Sequence, residues 1–479
     1  MKERREIMLK EEVLKNLPKV NQGLVHQLLT KEVKKSGRKI IVLDDDPTGI
    51  QTVNGVSVYT DWSKESIYSG FKEKENLFFI LTNSRSFTKE KTKNVHKEIA
   101  ENIETVAMGR PYLLISRSDS TLRGHYPLET ETLKGEIEKN HTWKFDGEII
   151  CPFFSEGGRF TIGNQHYVKE GTDLIPAEET EFAKDQTFGY HSSYLPDYIE
   201  EKSNHCYVAS EVICISLNDL RSMRLEKIEK QLMQVKNFQK IVVNAVENVD
   251  VEIFCVALYR ALNKGKHFLF RTAAAFVKAI SNGTTKPYLR KKDLIFQENS
   301  NGGLIMIGSH TEKTTKQMNY LEKIPQLHFE ELNTDFILNK EKMEKEVQRV
   351  LDEVQNYIGN GITTVVSTKR KVMSLKNDSK ESALMRSVQI SEFVQEIVRK
   401  LERKPSFIVA KGGITSSDIG VKALEVKRAI VLGQIQPGVP VWKTDSGSKF
   451  PDIPYVIFPG NVGTEESLYE TVKILLEDN

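Results

Sequence analysis

The sequence predicts an α/β protein of two domains, each a mostly parallel sheet flanked by helices. Three observations predict it. Short apolar runs recur at spacings that leave room for a crossover helix, and they are continuous rather than alternating, as in strands buried on both faces. This rhythm stops at one polar, glycine-ended stretch and then begins again. The residues directly after the runs are acids, hydroxyls, arginines or glycines, the types that meet ligands beyond the carboxyl ends of parallel strands.

The first forty residues read as a helical extension, with Val13, Leu14, Leu17, Leu24, Leu28 and Leu29 interrupted by Pro18 and Gly23. Strands are expected at Ile40–Leu43, Leu77–Leu81, Tyr112–Ile115 and Glu148–Cys151, and further ones at Val212–Leu217, Ile241–Val243 and Phe268–Phe270. Helical patterns run from Leu258 to Leu262 and around Phe276–Ile280. The polar stretch from Gln297 to Gly303 has linker composition. Beyond it, strands are expected at Leu304–Ile307, Ile362–Val366, Phe407–Ala410 and Tyr455–Phe458. Two amphipathic helices carry Met343, Val347, Val350, Leu351, Val354 and Ile358, then Ile390, Phe393, Val394, Ile397, Val398 and Leu401. The expected organisation is therefore an extension over 1–38, a first domain over 39–298 and a second over 299–479.

Composition excludes several function classes. At 479 residues the chain can bury large cores, and its 39% apolar and 28% charged content is that of an ordinary soluble protein. A formal net charge of +2 recruits neither nucleic acid nor an acidic membrane. The basic runs Arg290-Lys291-Lys292 and Lys369-Arg370-Lys371 are short and lack interleaved aromatics. Four cysteines are too widely spaced for a metal knuckle or a disulfide framework and read as buried thiols. The charged amino terminus is no secretory signal, and no apolar run approaches the ~20 residues that span a bilayer. The expectation is a cytoplasmic protein with a small-molecule partner, no nucleic acid and no membrane; a homo-oligomer is left open.

The chemistry concentrates at strand ends. Asp44-Asp45-Asp46-Pro47-Thr48-Gly49 follows the first strand, and three adjacent carboxylates persist most readily where a cation, a hydroxyl or an arginine compensates them. Asp, Pro and Gly also build solvated turns, so the cluster alone leaves both readings open. The second strand ends in Thr82-Asn83-Ser84-Arg85 and the third in Ser116-Arg117-Ser118-Asp119-Ser120-Thr121-Leu122-Arg123-Gly124. Ser120 or Thr121 alone could cap a helix. Three such ends on one sheet edge form a crevice of acids, hydroxyls and arginines suited to a small polyhydroxy acid. The turn Phe153-Phe154-Ser155-Glu156-Gly157-Gly158-Arg159-Phe160 carries one acid and one base and reads as a surface loop, the alternative being a turn that closes over a ligand. The histidines have no metal-ligand spacing, and no GxSxG elbow is present.

In the second domain, Gly412-Gly413-Ile414-Thr415 lies between a strand and a helix. It can cradle a phosphate with backbone N–H groups, or be a tight turn with a polar cap. It is neither a Walker loop nor a GxGxxG fingerprint. Gly308-Ser309 and Pro459-Gly460-Asn461-Val462-Gly463 follow two other strands, which together suggests a nucleotide site built from backbone. Gly433 to Pro440 reads as a rigid flanking loop.

These motifs resemble the four-carbon acid sugar kinase family. The resemblance is carried by Asp45-Asp46-Pro47-Thr48-Gly49, Asp119-Ser120-Thr121-Leu122-Arg123-Gly124 and Lys411-Gly412-Gly413-Ile414-Thr415-Ser416-Ser417-Asp418, with the Gly308-Ser309, Gly433 and Gly460 loops. The family's Lys-Ile-Asp-Ser-Thr reads Arg117-Ser118-Asp119-Ser120-Thr121 here, and Gly124 precedes His125-Tyr126-Pro127. The resemblance implies an amino-terminal sugar-acid domain, a carboxy-terminal ATP domain and phosphorylation of the terminal hydroxyl of D-threonate, D-erythronate or 3-oxotetronate. It carries substrate contacts to Asp45 and to Arg123 with its neighbours, and ATP contacts to Ser309, Gly412, Gly413, Ile414, Thr415 and Gly460. On this reading ATP binds with Mg²⁺, and transfer takes place in the inter-domain cleft. Asp45 is the first candidate to orient and deprotonate the hydroxyl and Asp119 the second. Arg85 and Arg123 hold the substrate carboxylate, and Asp46, Thr48, Ser120 and Thr121 line its site. A sugar-acid sensor without catalysis and a nicotinamide oxidoreductase are the alternatives.

Overall fold

A computed structural model describes residues 8–9, 15, 17–46, 49, 52–283, 287–296, 299–309, 311–370, 380–460 and 462–477. The chain divides into two compact units, Met1–Thr285 and Lys286–Asn479.

In the first unit the strands are β1 (Met8–Leu9), β2 (Lys39–Asp44), β3 (Val56–Tyr59), β4 (Leu77–Leu81), β5 (Tyr112–Arg117) and β6 (Gly147–Cys151). They continue as β7 (Arg159–Ile162), β8 (Gln165–Glu170), β9 (Asp173–Pro176), β10 (Ile213–Ile215), β11 (Gln239–Val243) and β12 (Phe268–Thr272). The main sheet runs β10-β11-β6-β12-β5-β2-β4-β3, and every neighbouring pair is parallel. Its central strands are buried on both faces, as their continuous apolar runs require. The helix Lys89–Ala107 starts at Thr88, whose side chain accepts from the Lys91 N–H, and it turns Val95, Ile99 and Ile103 onto a core with Ile41, Phe78 and Leu114. The amino-terminal segment supplies the helix Gln22–Ser36 and the strand β1, which pairs antiparallel with β9.

Three expectations are corrected in this unit. The segment after Phe153 turns as expected but is no isolated surface loop: Phe153 is buried, Phe154 and Arg159 pair across the turn, and the chain continues into an antiparallel sheet of β7, β8 and β9. The apolar run at Val212–Leu217 gives only a three-residue strand, because Ser216 caps a new helix by accepting from the Asp219 N–H. Of the four thiols expected to be buried, Cys206 is exposed.

The second unit holds β13 (Leu304–Ile307), β14 (His328–Leu332), β15 (Thr364–Thr368), β16 (Ile408–Lys411), β17 (Arg428–Gln436), β18 (Val439–Thr444) and β19 (Pro454–Phe458). Strands β14-β15-β13-β16-β19 are parallel, and β18 joins antiparallel to both β19 and β17. The helix Lys340–Gly359 buries the six residues its periodicity predicts. The segment Gly433–Pro440 is not a loop but the tip of the β17–β18 hairpin, turned at Gly438 with φ 77°. Among the described residues no helix is long and apolar enough to cross a membrane.

One buried ion pair in the first unit makes a testable demand. Lys240 Nζ donates to Glu148 Oε2 at 2.6 Å, both side chains are almost fully buried, and the ammonium sits 3.7 Å from the Tyr207 ring centroid. Burial lowers the Lys240 pKa while Glu148 raises it. Removing one partner strands a buried charge, so Lys240→Met should destabilise by about 3–5 kcal/mol. Adding Glu148→Leu should recover most of that loss; urea unfolding followed by far-UV circular dichroism measures both.

Candidate functional site

Neighbouring strands β2 and β5 define the switch point of the first unit. The chain leaves β2 toward β3 and β4 on one side and leaves β5 toward β6 on the other, which opens a crevice beyond their carboxyl ends. Asp44 lies opposite Arg117 in the register of these two strands, so the acids of one loop meet the cations of the next.

The acids are already gripped. Asp44 is fully buried; its Oδ1 accepts from Arg117 Nη1 at 2.8 Å and from the Asp46 N–H at 3.1 Å, while its Oδ2 has no partner. Burial pushes its carboxyl up to about 7, because one guanidinium does not offset the lost hydration. Asp45 is buried too, and Arg85 holds it with two bonds, Nη2 to Oδ1 at 2.6 Å and Nε to Oδ2 at 3.2 Å. Burial still raises its pKa, restrained by Arg85 and Arg117. Arg85 also donates to Asp46 at 3.2 Å and stands 4.0 Å from Asp119. Asp119 accepts from Arg123 Nε at 2.7 Å and from the Thr121 hydroxyl. Burial acts to raise the Asp119 pKa, but Arg85, Arg123 and Thr121 together hold it well below the usual carboxylate range.

Two glycines shape this layer. A Cβ at Gly49 would stand 2.0 Å from Arg117 Nη1, so this position against the Asp44–Arg117 pair admits no side chain. Gly124 has φ +119°, and a Cβ there would meet Arg271 Nη2 at 2.6 Å and Asp45 Oδ2 at 3.4 Å. Thr48 lies outside the described residues.

The loop from Ser118 to Gly124 is clamped through its carbonyls. His166 donates Nε2–H to Ser120 O at 2.7 Å, Tyr190 donates to Thr121 O at 2.9 Å and Tyr198 donates to Leu122 O at 2.8 Å. Burial brings His166 down to about 4, so it is neutral, with Nδ1 facing the Thr161 hydroxyl at 3.0 Å. Neither Ser120 nor Thr121 caps a helix; the next one begins at Leu128 without a side-chain cap.

The sequence reading passed over the support beneath. Glu129 is ion-paired to Arg271 and accepts from Ser84 Oγ at 2.6 Å and Ser116 Oγ at 3.3 Å. Burial opposes its ionisation, yet Arg271, His96 and Ser84 bring its pKa down to about 2. Glu129 and Arg271 gave no signal because 142 positions separate them. Arg117, which the sequence marks only as one of the strand-end arginines, is the partner of Asp44.

In the second unit the switch point lies between β13 and β16, and the three glycine-bearing loops converge there. A Cβ at Gly308 would stand 2.3 Å from Thr415 Oγ1. One at Gly412, whose φ is +125°, would be 3.1 Å from Thr415 Oγ1 and 3.4 Å from Ser309 Cβ, and one at Gly460 would be 3.9 Å from Ser309 Oγ. A Cβ at Gly413 would face open space, and Ile414 adds backbone to the first turn of the helix Gly413–Asp418. Bare backbone brought together at strand ends suits a phosphate chain. Two cations were not foreseen here. Lys411 is buried and donates to Pro459 O at 2.7 Å and Gly460 O at 3.0 Å; burial lowers it to about 7. Arg370 donates to Ser309 O at 2.6 Å. Among the described residues no group of three or more His, Cys, Asp or Glu could hold a metal ion.

Comparison with known proteins agrees with this division. Residues 40–280 match the model of a sugar-binding N-terminal domain, and residues 304–468 match that of a nucleotide-binding C-terminal domain. A D-erythronate kinase of Heliobacterium modesticaldum is 21% identical over 337 residues, covering 68% of this chain and 71% of the relative. The fold is similar to that of a Haemophilus influenzae protein at TM-score 0.62 and 18% identity, covering 91% of this chain and 100% of the other. It is also similar to that of a Salmonella typhimurium LT2 protein at TM-score 0.66 and 14% identity, covering 90% and 98%.

The Asp44 carboxyl yields a prediction with a fixed sign. Its native pKa lies above that of the unfolded chain, so its favourable contribution is complete at low pH and is lost as pH rises from about 4 through about 7. The stability of wild type relative to Asp44→Asn should therefore fall across that window, measured as the difference between urea unfolding free energies. A flat difference would contradict the burial argument.

Proposed function

This chain belongs to the four-carbon acid sugar kinase family, and on that footing we propose that it transfers the γ-phosphoryl group of ATP to the terminal hydroxyl of a four-carbon sugar acid. The substrate class proposed is D-erythronate, D-threonate or 3-oxotetronate; the Heliobacterium relative is named for the first. The observation that carries the reading is Asp45, a buried carboxylate whose pKa burial raises, on the carboxyl edge of the sugar-binding unit.

Phosphoryl transfer asks the protein mainly for alignment and charge neutralisation. Asp45 accepts the hydrogen bond of the terminal hydroxyl and takes its proton as the oxygen bonds to phosphorus. Arg85, on both Asp45 and Asp46, fixes the carboxylate and moderates its charge. Asp119 is the weaker candidate for the proton, because Arg123 and Thr121 hold it ionised. Its place beside Ser120 and Thr121 suits it to accept from another hydroxyl, as Asp46 and Thr48 also can.

The triphosphate of ATP is assigned to the backbone of Gly412, Gly413, Ile414, Thr415 and Gly460, with Ser309 beside them. The described residues form no cage for the Mg²⁺ expected from the sequence, and the acids after β2 are bonded to arginines. The metal is then expected on the nucleotide's own phosphates, with few protein ligands. Transfer further requires that the acid's hydroxyl and the γ-phosphate meet during turnover.

Coupled measurement of ADP release against a panel of four-carbon acids tests the proposal. ADP should appear only with the right acid, and silence with every acid would favour a sensor that binds without catalysis. Asp45→Asn should lower kcat by about 10³-fold while leaving the dissociation constant for ATP unchanged; retained activity would remove Asp45 from its role.

A further inference from the structure

Five guanidiniums gather around the sugar-binding crevice, and four of them are ion-paired. Arg85 holds Asp45 and Asp46, Arg117 holds Asp44, Arg123 holds Asp119, and Arg271 holds Glu129. The fifth, Arg159, forms no ion pair with any described residue, and its buried Nε has no hydrogen-bond partner.

Its position is firmly built. Arg159 opens β7, and its backbone exchanges hydrogen bonds with Phe154 at 2.8 and 3.0 Å. The guanidinium folds back along Gly157, where a Cβ would stand 3.1 Å from Nη1. Its Cζ is 5.6 Å from the Phe182 ring centroid, and the Arg123 Cζ is 5.1 Å from the same centroid. The two guanidiniums therefore share one aromatic ring, next to Asp119 and hence to Arg85 and Asp45. Burial and the nearby Arg123 both disfavour the Arg159 charge, and Asp119 compensates it only from a distance.

A largely buried guanidinium that pairs directly with no described carboxylate of the protein is placed to receive an anion from outside. We propose that Arg159, supported by the Phe182 ring, receives the carboxylate of the sugar acid, while Arg85 and Arg123 remain committed to the protein's own aspartates. This deepens the kinase reading and rests on it: the acid's charged end lies at Arg159 and its terminal hydroxyl at Asp45. The planar fork of Arg159 offers paired donors to a carboxylate and nothing comparable to a neutral polyol.

The test compares wild type with Arg159→Gln and Arg159→Lys, using D-erythronate and the neutral polyol erythritol as probes. Binding is read by isothermal titration and turnover by ADP release. Arg159→Gln should weaken D-erythronate binding and raise its KM at least ~30-fold, with kcat and the KM for ATP changed less than about threefold. Arg159→Lys, which keeps the charge without the fork, should recover part of the loss, and it covers the case in which the glutamine variant fails to fold. Erythritol should bind wild type and variants equally weakly. D-Erythronate binding within about threefold of wild type in Arg159→Gln would overturn the proposal, as would its failure to bind wild type. Arg159-dependent binding without ADP release from wild type would overturn the kinase reading and leave the carboxylate site standing.

Discussion

The constraint on which the sugar-binding unit depends is the burial of carboxylates beside guanidiniums at the ends of β2, β4, β5 and β12. Desolvation and Coulomb attraction are both large there, and their balance differs between neighbours. Asp44 has one guanidinium and a lone Oδ2, and burial wins, taking it up to about 7. Glu129 is met by Arg271, Ser84, Ser116 and His96, and compensation wins, taking it down to about 2. Asp45 is gripped at both oxygens by Arg85, and burial still raises its pKa.

The two units shape their strand ends by opposite means. The first builds its crevice from long side chains whose positions are fixed by mutual bonds, backed by His166, Tyr190 and Tyr198 on the carbonyls of one loop. The second relies on the lack of side chains: Gly308, Gly412 and Gly460 stand where a Cβ would crowd Thr415 or approach Ser309. Charged forks suit a small acid with several hydroxyls, and bare N–H groups suit a phosphate chain. Both constellations lie at a topological switch among parallel strands, so one rule of chain direction positions each of them.

Much of this was legible in the chain, for a physical reason. Strands buried on both faces write continuous apolar runs, so β2, β4, β5, β6 and β13 could be read directly, and the helix Lys340–Gly359 showed its buried face residue by residue. Strand β14 escaped because its residues alternate between half-buried and exposed. The sheet of β7, β8 and β9 escaped because Gly157 and Gly158 look like a loop, although they bend the chain around Phe154 and Arg159. Within the site, residue types at strand ends marked Asp45, Arg85, Asp119 and Arg123 as a group. Sequence could not show that Arg85 and Arg123 bond the protein's own acids, nor that Arg271 reaches Glu129, since those pairings exist only in three dimensions.

The central claim is that Asp45 faces the hydroxyl that becomes phosphorylated. A crystal structure with D-erythronate and a non-hydrolysable ATP analogue measures it directly, through the distance from the terminal hydroxyl oxygen to the Asp45 carboxylate. The account predicts about 2.6–3.2 Å, a hydrogen bond in reach of proton transfer. A bound acid whose terminal hydroxyl points away from Asp45, or an acid seated outside the crevice, would contradict it.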